Sequence, residues 1–503
     1  MAKTWVLIAA IVGSAMSFVD GSAVNVALPV MQHELGADAA HMQWVIEGYA
    51  LFLAALILLG GSLGDQFGRK KVFALGIAIF AAASLVCAVS PNVFVLIAAR
   101  CVQGVGGALA TPGSLALIST TFDGAERGKA IGTWSGFASI TGAAGPVLGG
   151  YLAQHASWRW VFIINLPLAL VVIVIALLAI PESRDREMSR QLDVPGALLA
   201  TGALGALTYG LIRAQGFKLD VTTWLTLIGG AVLLGAFVMN ERRSREPMMP
   251  LGLFASRTFS AANMYTLFLY AALGGSLYFL PFLLVNVQRY SPTAAGGAFL
   301  PFIVLQFSLS RWSGGLVPRF GARLPLVIGA LLAGAGFVAF AIPGIGGSYW
   351  TTYFPAAVLL GLGGACFVAP LTTTVFDAVK NEQSGIASGI NNAVARTAGL
   401  LAIAALGIVL TGIFDHGFER RIAGHHLSAA TARIARDDRD KLYSGSVPAD
   451  VPAADRAAVG AAVREGYLAG FRGVMLGSAG VCVLAALIAF VAIPGRRTRS
   501  AAA

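Results

Sequence analysis

Long apolar runs separated by short polar segments occupy most of the 503 residues of this chain. A helix needs about 20 apolar residues to cross a bilayer, and a soluble domain carries about 25% charged residues. This chain has 57% apolar and only 12% charged residues. The runs therefore predict an all-α polytopic membrane protein with about fourteen spans. The predicted spans are residues 6–30, 43–64, 72–90, 93–120, 130–153, 160–180, 195–214, 223–240, 258–287, 293–316, 325–345, 351–376, 384–411 and 469–493.

The cations are distributed unevenly between the two sides of this topology. Short cytoplasmic loops of membrane proteins are enriched in Lys and Arg. One set of loops holds Lys3, Arg69, Lys70, Lys71, Arg127, Lys129, Arg184, Arg186, Arg190, Arg242, Arg243, Arg245, Arg257, Arg319, Arg323, Lys380, Arg496, Arg497 and Arg499. The other set of short loops holds only Arg159, Arg213, Lys218 and Arg289. The asymmetry predicts that both termini are cytoplasmic, and it argues against nucleic acid as the partner behind the net charge of +11.

The sequence offers no pattern for an enzyme, a metal or a cofactor. The cysteines lie within apolar runs, at spacings that fit neither a disulfide framework nor a zinc site: Cys87, Cys101, Cys366 and Cys482. No phosphate-binding G-x-x-x-x-G-K-[ST] loop is present. The first run continues past Asp20 to Pro29, so we expect a retained span rather than a cleaved signal peptide.

A glycine-and-charge loop at residues 61–71 joins the second and third predicted spans. Glycines allow close approach of two backbones, and the cluster of cations places the loop inside. An ordinary basic loop is the alternative, but it requires neither the acid nor the glycine spacing. Because charge contacts at inner helix ends can latch parts of a bundle, we predict that conformational switching depends on Gly61, Asp65, Gly68 and Arg69.

Short sequences recur at a nearly constant offset. Phe67-Gly68 returns as Phe320-Gly321, although Pro318 stands where Asp65 would be expected, and Phe122-Asp123 returns as Phe376-Asp377. Two copies of a six-span unit fit this offset only if two extra spans lie between them. We therefore predict a first half at 1–190, a two-helix insert at 191–250 and a second half at 251–503. The second half includes an outer loop at 412–468, either short amphipathic helices or a flexible segment.

Ionisable residues inside spans are costly and are functional candidates by default. Asp20 in the first span can bind a proton from one side and release it to the other, or it can be a structural hydrogen-bonding residue. Arg100 remains charged, so it can modulate a nearby carboxylate or pair with backbone carbonyls. Glu47 can share the proton or bind a cationic substrate, or it can be a solvated residue at the outer rim. The predicted proton-coupling residues are Asp20, Glu47 and Arg100.

Two further groups of residues are predicted to serve transport. In the fifth span, glycines and a proline permit a bend and close packing, although a plain packing patch is the alternative. The predicted switching residues there are Gly145, Pro146, Gly149 and Gly150. Aromatic residues beside a carboxylate suit an organic cation. The predicted substrate-binding residues are Asn25, Trp44, Glu47 and Tyr49.

Four of these motifs resemble the major facilitator superfamily. Residues 61–71 are similar to its signature G-x-L-a-D-r-x-G-r-k. Residues 20–29 resemble l-D-x-T-i-V-N-v-A-L-P of the fourteen-span drug:proton antiporter branch, with Ser22 and Ala23 as departures. Residues 100–108 resemble R-x-x-q-G-x-g-g-a, and residues 132–150 resemble G-x8-G-x3-G-P-x2-G-G with Thr141 at the second glycine. A shorter match, residues 181–184, resembles part of the sugar-porter signature.

The resemblance implies a monomer of two six-helix halves with two extra helices, and alternating access to a cavity between the halves. It implies proton-coupled export of small amphipathic or cationic compounds by a protein that spans the lipid bilayer of the bacterial inner membrane. Two alternatives remain open: a dedicated exporter of one lipid, antibiotic or metabolite, and a membrane receptor or scaffold without turnover.

Overall fold

The computed structural model describes residues 2–122, 124–183, 192–215, 219–244, 246–379, 383–422, 428–437, 442–443, 445, 447 and 450–495. Several charged residues named above lie outside these ranges, so their predicted positions are not described: Asp123, Arg184, Arg186, Arg190, Lys218, Arg245, Lys380, Arg496, Arg497 and Arg499.

All regular elements in these ranges are helices. They are α1 Ala2–Leu35, α2 Ala39–Phe67, α3 Arg69–Ala88, α4 Val93–Thr121, α5 Gly124–His155, α6 Trp160–Ile163, α7 Asn165–Ala179, α8 Val194–Arg213, α9 Val221–Arg243, α10 Arg257–Phe282, α11 Pro292–Gly297, α12 Leu300–Gly314, α13 Leu316–Phe320, α14 Arg323–Ala341, α15 Tyr349–Asp377, α16 Ser384–Ile422, α17 Ala429–Asp437 and α18 Arg456–Ala492. A 3₁₀ turn at Leu251–Ala255 precedes α10, and a π turn at Leu283–Val287 extends it.

Twelve helices in the described ranges are long and apolar enough to cross a membrane. The fifth predicted span forms α5, whose first half carries charged residues and glycines. The tenth predicted span was expected to be continuous over 293–316, but it is divided into α11, α12 and α13. With α5 and this divided segment, the helices are compatible with the predicted number of spans.

Side chains at the loop ends start several of these helices. Asp38 accepts a hydrogen bond of 2.8 Å from the backbone N–H of His41 at the start of α2. Asn92 does the same for Val95 in α4, at 3.0 Å. Because the first N–H groups of a helix lack intrahelical partners, an Asp or Asn at this position fixes where the helix begins.

The repeated sequences coincide with repeated packing. A Cβ atom on Gly76 of α3 would lie 2.8 Å from the carbonyl oxygen of Gly106 in α4. A Cβ atom on Gly329 of α14 would lie 3.0 Å from the carbonyl oxygen of Gly363 in α15. Thus α3 packs on α4 and α14 on α15 through backbones in close contact. The two helix pairs are offset in sequence by nearly the distance that separates Phe67-Gly68 from Phe320-Gly321.

The predicted outer loop is shorter than expected. The sequence predicted a loop over 412–468, but α16 continues to Ile422 and α18 already begins at Arg456. Phe414 and Phe418 are buried, with their rings stacked 5.5 Å apart. The helices therefore extend past their most apolar stretches because their flanks still pack on each other. Part of the remaining connection forms α17, in agreement with the amphipathic-helix alternative.

Candidate functional site

A buried ion pair links the first and fourth helices. Asp20 and Arg100 are both 0% exposed, and Arg100 Nη1 lies 2.5 Å from Asp20 Oδ2. Arg100 Nε also donates a hydrogen bond of 2.9 Å to the carbonyl oxygen of Val45 in α2. Both alternatives for Arg100 are therefore present together, because it contacts a carboxylate and a backbone carbonyl.

Polar side chains from three helices complete this cluster. Gln103 Nε2 donates to Asp20 Oδ1 and to Ser84 Oγ, each at 2.9 Å. Asn165 Nδ2 lies 3.3 Å from the same two oxygen atoms. Asp20 thus has hydrogen-bond donors from α4 and α7 besides its arginine, which is the structural hydrogen-bonding arrangement that the sequence left open. A proton on Asp20 would remove the charge that pairs with Arg100.

Tyr49 belongs to this cluster rather than to a separate aromatic site. The guanidinium carbon of Arg100 lies 4.3 Å from the centre of the Tyr49 ring, within the range of a cation–π contact. Trp44 packs instead against Tyr209 of α8, with ring centres 6.3 Å apart. Asn25 Nδ2 donates a hydrogen bond of 3.0 Å to the carbonyl oxygen of Gly21 on its own helix. The four predicted substrate-binding residues therefore do not form one aromatic cage in this conformation.

Glu47 does not lie at the solvated outer rim, which was one of the positions that the sequence left open. Its side chain is 0% exposed, and neither of its carboxylate oxygens has a hydrogen-bond partner among the described residues. A solvated position at the rim is therefore wrong for this conformation. An unpaired buried carboxylate is costly when it is ionised, so the geometry favours a protonated side chain or a bound cation at Glu47.

The glycines of the fifth span lie where α5 meets two other helices. A Cβ atom on Gly145 would lie 1.8 Å from Ser22 Oγ, and one on Gly149 would lie 2.4 Å from the carbonyl oxygen of Ala23, both in α1. On the other side, a Cβ atom on Gly150 would lie 2.2 Å from the carbonyl oxygen of Pro292 at the start of α11.

The contact with α11 is made from both sides. A Cβ atom on Gly296 would lie 2.1 Å from the carbonyl oxygen of Pro146. The motif in α5 thus packs against both α1 and α11 through backbone contacts. These contacts lie near the C-terminal end of α5, just before α6.

The glycine-and-charge loop is stabilised locally. Arg69 Nε donates a hydrogen bond of 2.7 Å to Asp65 Oδ1, so this ion pair links the end of α2 to the start of α3. Gly68 between the two helices has a φ of 115°, which favours glycine. Gly61 faces Pro112 of α4, where a Cβ atom would make an ordinary contact at 3.7 Å.

The segment after α7 supplies partners that sequence reasoning did not assign. The backbone N–H of Arg69 donates to the carbonyl oxygen of Ser183 at 2.9 Å. The carboxylate of Glu182 accepts from the backbone N–H of Lys70 at 3.1 Å. Glu182 belongs to the short sugar-porter match at 181–184, so this match was the available signal. Asn165, in the cluster around Asp20, was detectable as a polar residue inside an apolar run.

Among the described residues, no group of three His, Cys, Asp or Glu side chains is placed to hold a metal ion. The chemistry that this arrangement supports is ion pairing, hydrogen bonding and proton exchange at buried carboxylates.

Known proteins resemble this chain in sequence and in fold. A sequence model of the Major Facilitator Superfamily matches residues 10–403. The tetracenomycin C resistance and export protein of Streptomyces glaucescens is 33% identical over 491 residues, covering 96% of this chain and 90% of that protein. The multidrug resistance protein Stp of Mycobacterium tuberculosis is 36% identical over 411 residues, covering 80% and 75%.

A solved structure with lower sequence identity to this chain has a similar fold. The bacterial homologue of the human lysosomal transporter Spinster, in an inward-facing and unoccupied conformation, aligns with a TM-score of 0.65. The alignment covers 98% of this chain and 97% of that one, at 17% identity. At this identity the likeness shows the fold alone.

Proposed function

This chain belongs to the Major Facilitator Superfamily, and from that membership we propose that it is a secondary active transporter that exports small amphipathic or cationic compounds in exchange for protons. It is not an enzyme, and it acts as a monomer in the bacterial inner membrane with both termini in the cytoplasm. The names of the two relatives, an antibiotic exporter and a multidrug resistance protein, support export.

The buried pair of Asp20 and Arg100 is the observation that carries proton coupling. A proton that binds Asp20 removes its charge, weakens the 2.5 Å contact with Arg100 and leaves a buried guanidinium without its counter-ion. Protonation of Asp20 therefore changes the charge contact between α1 and α4, and coupling requires such a change between states. A potential of 100 mV contributes about 2.3 kcal/mol for each charge moved, and each pH unit adds about 1.4 kcal/mol.

The packing also supports a conformational assignment. If residues 1–190 and 251–503 are the two halves, with the insert at 191–250 beside them, the contact of Gly150 with Pro292 joins the halves. Under the predicted orientation this contact lies at the outer end and closes it. Further along α5, no heavy atom lies within 4 Å of the Cβ position at Gly142. We assign this conformation as closed to the outside.

The dedicated-exporter alternative is supported by the specific antibiotic in the name of the Streptomyces glaucescens relative. A panel of compounds separates the two: tetracenomycin C, a fluorescent organic cation and a neutral amphiphile. Export of the first alone indicates a dedicated exporter, and export of all three indicates a multidrug type. A folded protein that moves none of them in response to a proton gradient would support the receptor or scaffold alternative.

Reconstituted vesicles with an imposed proton gradient test the proposal. Asp20→Asn should abolish proton-driven export. Its single amide oxygen can still accept a hydrogen bond from Arg100, while its NH2 group takes the place of the oxygen that accepts from Gln103. Asp220→Asn is the matched control, because Asp220 caps α9 at the surface and Asn also caps helices. Full proton-coupled export by Asp20→Asn would exclude the proposed role of Asp20.

A further inference from the structure

The unpaired carboxylate of Glu47 lies on a polar stripe that runs along α2 toward the end of the helix. Gln43 is one helical turn before Glu47, on the same face of α2. From Glu47 to Ala39, the first residue of α2, the helix rises only about 12 Å. The buried carboxylate is thus two turns from the end that the charge distribution predicts to be outer.

A residue that follows α8, in the predicted two-helix insert, forms hydrogen bonds with the stripe on α2. Gln215, just after α8, donates a hydrogen bond of 2.7 Å from Nε2 to Gln43 Oε1, and the reverse bond is 3.4 Å long. Both glutamines are buried. Gly407 of α16 makes room for the pair, because a Cβ atom there would lie 2.3 Å from Gln215 Nε2 and 2.9 Å from Gln43 Nε2.

A second polar stripe on α16 faces the first and continues it outward. Thr411 and Asp415 follow Gly407 at intervals of one turn on the same helix face. Tyr443, from the connection before α18, donates hydrogen bonds of 3.0 and 3.1 Å to the two carboxylate oxygens of Asp415. The stripe therefore leads from the glutamine pair to a partly exposed acid.

A small cavity lies between these stripes. Its lining includes Gln43, Gln215, Thr411, Tyr278 and Tyr443. The volume of this cavity is about 20 Å³, which is room for one water molecule. Several lining groups can hydrogen-bond that molecule. The cavity is too small for a drug-sized compound, so it suits water and protons.

Several titratable groups surround this route. Tyr278 of α10 lies within electrostatic range of both Glu47 and Asp38. Asp38 is paired with His41 at 2.7 Å. Tyr467 of α18 donates its hydroxyl hydrogen to the carbonyl oxygen of Phe279 at 3.0 Å. Asp415 and Tyr443 complete the group on the side of α16.

We propose that Glu47 exchanges its proton with the outer solution through this route, and that Gln43 and Gln215 are its gate. When the pair separates, the carboxyl group of Glu47 gives its proton to a water molecule, and the resulting hydronium releases it along waters to the outside. Reloading reverses the step. The amides do not titrate, so they position water rather than carry the proton. The two-helix insert thereby contributes a functional residue, Gln215. The inference deepens the proposed proton coupling and rests on it.

Infrared spectroscopy of the full chain in sealed vesicles tests the route without a transported substrate. Vesicles are sorted so that the C-terminus faces the lumen, and the lumen pH is clamped. The protonated-carboxyl band of Glu47 is identified as the band lost in Glu47→Gln. When the external pH is raised, this band should disappear in the parent protein. Gln215→Leu should slow the disappearance about tenfold or more, because water in the gate loses a hydrogen-bond partner.

A second variant should act in the opposite direction. Gly407→Ala places a Cβ atom against both amides and should force the pair apart, so that exchange becomes faster than in the parent protein. Gln32→Leu is the control for a buried glutamine outside the route, and Gly297→Ala is the control for a glycine with open space beside it. Size-exclusion profiles show which variants fold, and if only one test variant folds, that variant decides the outcome.

The possible failures are distinguishable. If the Glu47 band is absent, follows only the lumen pH, or responds at the parental rate in both test variants, the outer route is wrong. If the band behaves as expected but Asp20→Asn retains full proton-driven export, the proposed coupling through Asp20 is wrong and the route stands.

Discussion

Glu182 and Lys70 lie 112 positions apart in the chain, and the Glu182 carboxylate accepts a hydrogen bond of 3.1 Å from the backbone N–H of Lys70. The bond supplies a partner for one of the free N–H groups at the start of α3. It also brings the carboxylate against Gly68, where a Cβ atom would lie 2.6 Å from Glu182. The loop between α2 and α3 is therefore shaped by the segment that follows α7.

Gly68→Ala should displace Glu182 and destabilise the protein by about 1–3 kcal/mol, because it adds a clash to an unfavourable φ. Thermal unfolding measures the effect. Gly36→Ala is the control, since its φ of 60° is also positive but nothing lies within 4 Å of the added atom. Adding Glu182→Ala to Gly68→Ala should recover part of the loss. Strictly additive losses would contradict a direct contact.

Asp65→Asn should slow transport with little change in equilibrium substrate binding. The ion pair with Arg69 fixes the geometry between α2 and α3, away from the Asp20 cluster. Its loss therefore affects the rate at which helices rearrange more than the binding cavity. Initial export rates and equilibrium binding of one substrate, measured on the same preparation, check this. A large loss of binding at a normal rate is the contrary result.

Gly150→Ala should separate α5 from α11 and shift the protein toward a conformation open at that end. The added Cβ atom would meet backbone at 2.2 Å, which cannot move as a side chain can. Electron–electron distances between spin labels at positions 155 and 289, in a cysteine-free background, should lengthen. Gly142→Ala, in open space on the same helix, should leave them unchanged. Unchanged distances in Gly150→Ala would remove this contact from the gate.

Glu47→Gln should weaken cationic substrates more than neutral ones. A buried, ionised carboxylate would attract an organic cation strongly. The expected difference is about 1–2 kcal/mol in a desolvated site. Competition binding with one cationic and one neutral substrate measures it. Equal effects on both, or none on either, would exclude Glu47 from substrate binding.

We expect the stability of the segment around Asp455, which lies outside the membrane, to depend on pH. Hydrogen bonds from Ser428 and Thr431 hold the pKa of Asp455 below its usual value. A carboxylate with a lowered pKa stabilises the folded segment above the unfolded pKa of about 3.9, and this contribution is lost as the pH falls further. At pH 5, Asp455→Asn should therefore be cleaved faster than the parent by an acid protease. Below about pH 4 the difference should shrink, and a constant ratio would contradict the assignment.

The sequence predicted the membrane helices well because hydropathy is a local property. It was less reliable where helices leave the apolar region. Phe414 and Phe418 continue α16 beyond its most apolar part because they stack and pack on α18, and no local signal distinguishes this from a loop. The tenth span is divided into α11, α12 and α13, and the position of α11 against α5 is likewise a contact between segments far apart in sequence.

For the site, the sequence by itself identified Asp20, Glu47 and Arg100, because an ionisable residue in an apolar run is conspicuous wherever it lies. Only the tertiary structure decided their partners. It paired Asp20 with Arg100 across 80 positions, and it left Glu47 buried without a hydrogen bond. It also brought Gln215 from the insert to Gln43. Such pairings depend on which helix faces meet, and helix faces far apart in sequence are matched only when the whole bundle packs.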